Sequence, residues 1–495
     1  MSILWYRMMR SYRSLVIGAI IGMASLSVWA YTWTESSSVR IHQHLQPGKV
    51  EGCTHDETVF CTHLPIVSIK TNGQKLEIQR LGEGELDYRV SNEIIGEISV
   101  IDNLSTYNHL EDERAVHTRT KLKYRGNSSI KFDKKSYKLN WIHEDLSENR
   151  DEDFLGMGRH DEWVLNGPFL DKTLIRNYMC MNIAGEIMES TPDVRFCEVF
   201  VDEMYQGVYV AMENVAKDID RVDLTTYKKG DPFTSYIVRA DRQRGLPEEL
   251  NNFTHYANRM ERDTALEVIY PREVVDMPEL KTFIERDLSK FEKALYSYDY
   301  DDKTYGYRQY IDVESFVDYF IINEFFKNYD AGVFSTYLYK DIRGKLHIGP
   351  VWDFNNAADN FIEVALDEKG MQMVQRNWYL MLMKDEDFVE AVIRRYDKLR
   401  EGWLNEEVLL NYIDETVGFL GEATERNNVV WGYSFDPTKV SSASRLKPIE
   451  RNLTSYEMSI SQLKNFIIQR GRWLDQHIHT LRQYAHESRV KQFNH

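Results

Sequence analysis

Asn328-Tyr-Asp-Ala-Gly-Val-Phe-Ser335 and Trp352-Asp-Phe-Asn-Asn356 bracket the part of this 495-residue chain on which its architecture turns. Between them, Thr336 to Lys340 and Lys345 to Val351 read as strands around the turn Asp341-Ile-Arg-Gly344, the composition of a β-hairpin. A hairpin returns its two ends to one end of the ribbon. Asp330 to Ser335 and Asp353 to Asn356 are therefore expected to converge. The competing reading is local: Asp353 and Asn356 cap a following helix, and Asp330 ends the preceding one.

Before the hairpin, Glu314 to Tyr329 sets Phe316, Tyr319, Phe320, Ile322, Phe325 and Phe326 on a broad apolar face, the pattern of a buried helix. Strand-like runs recur earlier: Leu64 to Ile69, Ile94 to Ile101, Thr118 to Tyr124, Ser136 to Trp141, Arg195 to Val201, Gly207 to Glu213 and Ser235 to Arg239. Met204 to Gly207 reads as a turn, and a helix from Lys172 to Met188, capped by Asp171, interrupts the strands. Glu248 to Asp302 reads as a polar, helical connection, and from Gln375 onward the chain is nearly all helix. The expected class is α+β, with a sheet-rich first half and a helical second half.

The converging ends of the hairpin carry chemistry. Two carboxylates with amide and hydroxyl oxygens suit Mg²⁺, which takes one or two carboxylates and leaves positions for phosphate oxygens. The layout parallels that of protein kinases: an Asp as base, a polar ligand five residues on, a hairpin, then a metal-binding Asp. A second constellation is Arg125-Gly-Asn-Ser128-Ser129 followed by Lys134-Lys135-Ser-Tyr-Lys138. A Gly/Ser-rich turn offers N–H groups and hydroxyls to phosphates, and a strand lysine can reach them. Taken alone, it is a hairpin turn with solvated lysines. A third, Asp171 to Asn177, reads first as a structural ion pair of Asp171 and Arg176. Glu213, closing its strand before Asp218 to Arg221, either orients a lysine or pairs with an arginine.

Arg7, Arg10 and Arg13 precede an apolar run from about Leu15 to Trp33. Positive charge before such a run keeps the N-terminus in the cytoplasm and sends the rest across the membrane. Residues 1–33 are thus an uncleaved signal anchor or a cleaved signal peptide, and the body is expected to be extracytoplasmic. Residues 34–62 read as a polar stalk and 63–490 as the folded domain. Hydrophobic residues at 42% allow a full core. The net charge of -17 argues against a nucleic-acid surface. Cys53 and Cys61 are expected to form a disulfide, whereas Cys180 and Cys197 sit in apolar surroundings as buried thiols or a second bridge.

Read together and in this order, these segments resemble the CotH family of spore-coat and secreted kinase-like proteins. The matching pieces are Arg125 to Ser129 with Lys134 to Tyr137, Leu165-Asn-Gly with Asp171 to Asn177, and Gly207 to Glu213 with Asp218 to Arg221. Asn323-Glu324, Asp330 and Trp352-Asp-Phe354 complete them, and coverage runs from about Leu64 to Arg472. The resemblance implies an atypical protein-kinase-like fold, ATP with Mg²⁺ or Mn²⁺, and serine hydroxyls of coat or surface proteins as acceptors. It makes Asp330 the candidate base and Asp353 the metal ligand, with Ser335 and Asn355 beside it. Arg125, Ser128, Ser129, Lys134, Lys135 and Glu213 become candidate nucleotide contacts. Ser335 stands where a kinase would use Asn, and Asn355 where many relatives have Asp. Glu324 and Glu213 are candidates to compensate. The alternatives are a catalytically degenerate scaffold and, further off, a carbohydrate hydrolase using both acids, which requires carboxylates roughly 5–9 Å apart.

Overall fold

The computed structural model describes residues 40–50, 52–53, 59–81, 88–146, 148–260 and 263–485. The N-terminal apolar run lies outside them, and among the described residues no helix is long and apolar enough to cross a membrane. The chain divides into a short unit ending at Ile41 and a large unit from His42 onward.

Seven strands close into a barrel. In chain order they are β1 (Ile66–Lys70), β2 (Ile94–Ile101), β3 (Val116–Arg125), β4 (Ser136–Ile142), β5 (Glu162–Asn166), β6 (Val194–Val201) and β7 (Met204–Glu213). Around the barrel they run β5-β7-β6-β1-β2-β3-β4, and β4 returns to β5. Only the β6–β1 pairing is parallel. Period-two alternation explains the closure. Val67, Ile69, Ile98, Leu122, Leu139, Trp141, Trp163, Leu165, Val199 and Tyr209 fill the interior. The opposite faces of β5, β6 and β7 are also apolar, through Val164, Phe196, Val208 and Val210. They bury against α1 (Arg176–Gly185), whose Tyr178, Met179 and Ile183 belong to the same core. The β6–β7 reversal sits at Asp202 and Glu203, both with positive φ, two residues earlier than the pattern implied.

A second sheet holds β8 (Tyr236–Arg242), β9 (Thr264–Tyr270), β10 (Thr336–Lys340) and β11 (Leu346–Ile348), in the order β9-β8-β10-β11. The β10–β11 pair is the expected hairpin. The polar connection thus contributes a strand, β9, before α2 (Pro278–Leu295). The apolar helix is α3 (Val313–Phe325), and α4 (Glu386–Arg400), α5 (Glu406–Leu420), α6 (Glu422–Trp431) and α7 (Tyr456–His477) complete the helical half. Mixed α and β content agrees with the expected class.

A long-range junction on α6 ties the helical half to the barrel. On α6, Arg426 pairs with Glu198 of β6, Asn427 accepts from Lys134, and Trp431 donates to the Gln206 carbonyl. Gly207 makes room: at φ +91°, a Cβ there would lie 2.4 Å from the Asn427 side chain. Within the segment read as a stalk, His42 stacks on Trp403 and bonds Tyr412 and Glu186, while Gln43 bonds the Phe196 backbone. These partners are distant in sequence, and no local pattern reveals them.

Candidate functional site

After β11 the chain reaches Asp353 in the left-handed region, φ 58° and ψ 71°, and enters a single 3₁₀ turn, Phe354–Asn356. Asp353 stands at the N-cap position of this turn, and its side chain forms no cap hydrogen bond of regular geometry. The first turn of α1 grips this segment. Asn177 accepts from the Phe354 N–H at 2.7 Å and donates to Asn355 Oδ1 at 2.7 Å and to Asn166 Oδ1 at 3.1 Å. Arg176 donates to the carbonyls of Ala357 and Ala358. Asp171 fixes that guanidinium in a buried pair and also accepts from Thr173 and the Arg176 N–H, as the structural reading anticipated.

The hairpin ends meet. Asn356 Nδ2 donates to Asp330 Oδ2 at 2.8 Å, joining the segment after β11 to the loop before β10. Burial pushes the Asp353 carboxyl up, opposed by Arg125 and by hydrogen bonds from Asn355, while Asp241 pushes it further. The Arg125 guanidinium, at the end of β3, stacks over Trp352 at 5.0 Å. Burial weakens its hold on its proton, and Tyr337 and Asp353 work the other way. Tyr337 packs against Trp352, and Arg239 of β8 bonds Tyr337 and Glu267 and lies 3.5 Å from Asp241. The result is a site between barrel and sheet where two carboxylates, Asp353 and Asp241, share the field of two guanidinium groups.

Several expected contacts lie elsewhere. Lys134 is buried and donates to the Val208 carbonyl and Asn427 Oδ1, an anchor for α6. Lys135 donates to the carbonyls of Ile130 and Phe132 and so closes the β3–β4 turn on itself. Their ammonium groups are engaged on these acceptors, while the cation whose charge acts on the Asp353 carboxyl is Arg125. Ser128 and Ser129 begin the 3₁₀ turn in that connection, and Gly126, at φ +114°, leaves room for the Ser129 hydroxyl. Glu213 pairs with buried Arg221 and accepts from the Asp193 N–H. It stands opposite Trp163 in the ladder, on the barrel-interior side, away from the outward-facing Arg125. Glu324 accepts from Arg470 and from the backbone of Gln372 and Met373, so it is no spare ligand. Asn355 is oriented by Asn177 and Asp353, and Ser335 ends its loop at φ 49°.

Asp241 and Arg239 escaped the sequence reading. The one available signal was the charge density of Arg239-Ala-Asp-Arg-Gln-Arg244, unusual at a strand end. A separate cavity of about 490 Å³ is lined by Asp359, Asp367, Glu368, Glu457 and neutral residues, with no lysine or arginine. It is unsuited to a polyphosphate, which needs positive charge. Cys53 and Cys61 form the expected disulfide, and Cys180 and Cys197 are buried free thiols.

The chain from residue 122 to residue 474 matches the family model described as CotH kinase protein. The match contains Arg125, Asn177, Asp330 and Asp353. No match was found among curated proteins.

Proposed function

Since the chain belongs to the CotH kinase family, we propose that it is an extracytoplasmic phosphotransferase with an atypical protein-kinase-like fold. It moves a phosphoryl group from ATP, with Mg²⁺ or Mn²⁺, to Ser or Thr hydroxyls of a surface or coat protein. The observation that carries this reading is the junction of Asp330 and Asp353 through Asn356, beside Arg125. The donor set is made of hard oxygens, and the Asp353 carboxyl is raised by burial, a state that a divalent cation relieves. The residues therefore fit the group they would hold.

When bound, ATP and its metal supply the transferable phosphoryl group and the countercharge. Asp353 holds the cation, and Asn177 with Asn355 fixes the backbone and carboxylate that do so. Arg125 and Arg239 stand where negative charge accumulates, in a fixed arrangement that needs no reorganisation. Asp330, held by Asn356, orients the acceptor hydroxyl and takes its proton. The N-terminal basic and apolar sequence supports export, and membrane attachment rests on that segment alone.

A catalytically degenerate scaffold is the second reading. It is favoured by Asn355, an amide already engaged by Asn177 and Asp353 where a further carboxylate would strengthen metal binding. Incubating the full-length chain with labelled ATP and Mg²⁺ or Mn²⁺, beside Asp353→Ala, separates the two. Metal-dependent label transfer that the variant lacks supports the kinase. Absence of both nucleotide binding and transfer leaves the scaffold.

A further inference from the structure

Far from Asp353 in sequence, the short strands Cys61–Thr62 and Asn108–His109 pair antiparallel, with Cys61 directly opposite His109. Side chains at such positions share a face. Cys53 reaches the same point from the other side of its loop, its sulfur 3.6 Å from His109 Nε2. The two sulfurs and a His109 nitrogen all lie within 4.8 Å of one another. His109 is buried, and Asp112 Oδ2 receives its Nδ1–H at 3.2 Å and its backbone N–H at 2.9 Å. Asn103 donates to the same carboxylate oxygen at 2.8 Å. An imidazole that donates from Nδ1 to a carboxylate presents the Nε2 lone pair, the usual arrangement behind a metal-ligating histidine.

We propose that Cys53, Cys61 and His109 form a redox-gated site for a thiophilic divalent cation of the Zn²⁺ type. The geometry is already set at one edge. Zn–S of about 2.3 Å and Zn–N of about 2.0–2.1 Å at a tetrahedral angle put sulfur and nitrogen about 3.6 Å apart, the separation observed for Cys53 and His109. The Cα atoms of the cysteines are 6.4 Å apart, so the thiols can separate by side-chain rotation. The oxidised chain has no thiolates to offer. Reduction by an external dithiol opens the site: one reductant thiolate attacks a disulfide sulfur, the second closes the reductant's own disulfide, and both cysteines leave as thiols. Metal binding then displaces the two thiol protons to solvent. Asp112 is a positioning residue that holds the ring, and the fourth position belongs to water.

Co²⁺ is the probe, because thiolate ligation adds a sulfur-to-metal charge-transfer band that carboxylate sites such as Asp353 do not give. The full-length chain is reduced anaerobically with a phosphine, freed of it, and titrated. One equivalent of Co²⁺ is expected to develop the band, the unreduced chain none, and Asp112→Asn to bind roughly 10–100-fold more weakly. The variant carrying Cys53→Ser and Cys61→Ser keeps Cys180 and Cys197 and should lack the band. A band of equal intensity in that variant overturns the proposal, as does its absence in reduced wild type that still melts at the unreduced temperature. If reduction lowers the melting temperature, Zn²⁺ must restore it in wild type and not in the double variant. Failure to restore it also overturns the site.

Discussion

Glu324 on α3 and Asp353 just after β11 flank the same hairpin in sequence, yet they are treated in opposite ways. Glu324, on α3, is saturated. Arg470 of α7 and the N–H groups of Gln372 and Met373 converge on its two oxygens, and the pair is buried. Asp353 has Asn355 as its hydrogen-bond donor and shares Arg125 with a second acid, Asp241. A saturated carboxylate holds helices together and has nothing left for a ligand. Asp353, kept in αL geometry by Asn177 on the next residue, is bonded more sparsely and feels Arg125 and Asp241 together.

The comparison breaks or sharpens under four substitutions. Glu324→Ala leaves the Arg470 guanidinium buried without its acid and is expected to cost about 3–5 kcal/mol, read as a fall in denaturant midpoint. Metal-dependent labelling per folded molecule should survive it; loss of labelling without loss of stability would show that Glu324 belongs to the site. Asp353→Ala should do the reverse, lowering phosphoryl transfer by about 10²–10³-fold without lowering the melting temperature. The sign follows from its raised carboxyl. The native state binds the extra proton between the unfolded and folded values, so it loses stability as pH rises through that window, and Ala removes the penalty.

Asn177→Ala tests whether the αL segment is held from outside. It orphans the Phe354 N–H and releases Asn355, and about 1–3 kcal/mol of stability should go, with metal affinity falling alongside. A variant that melts earlier but binds metal as before would place the clamp in the fold alone. The smallest effect concerns a cation. Burial draws Lys172 down to about 7, with Asp171 and Asp133 opposing, and its ammonium donates to the Phe169 carbonyl and Ser434 hydroxyl. Its folded value lies below its unfolded one, so the unfolded chain binds more protons and stability rises with pH from about 7 toward 10.5. Lys172→Met should flatten that rise in melts taken across the range; an unchanged slope would assign the pH dependence elsewhere.

What the sequence disclosed was local. A β-hairpin is written in consecutive residues, so the meeting of Asp330 with the Asp353 segment followed from period and turn chemistry. The Asp171–Arg176 pair, five residues apart, was equally legible. Choosing among Lys134, Lys135 and Arg125 was not. Lys134 is claimed by an acceptor on α6, and no periodicity in β4 announces Asn427. Asp241 and Arg239 went unread because their importance comes from β8 lying beside β10, a pairing between strands nearly a hundred residues apart. Of the two readings of Glu213 the arginine pair is the one formed, with Arg221; which side of its two-sided strand faces Arg125 is a matter of register, not composition.

The α6 clasp has a consequence for biosynthesis. A ribosome releases every barrel strand by Glu213, yet Lys134 must wait through the 293 residues that separate it from Asn427, and Glu198 through the 228 that precede Arg426. Until then the Lys134 ammonium holds the Val208 carbonyl and Glu198 holds the Tyr205 hydroxyl, and each completes its set of bonds when α6 emerges. A chain stopped ahead of α6 therefore lacks the Asn427 and Arg426 ends of both bonds.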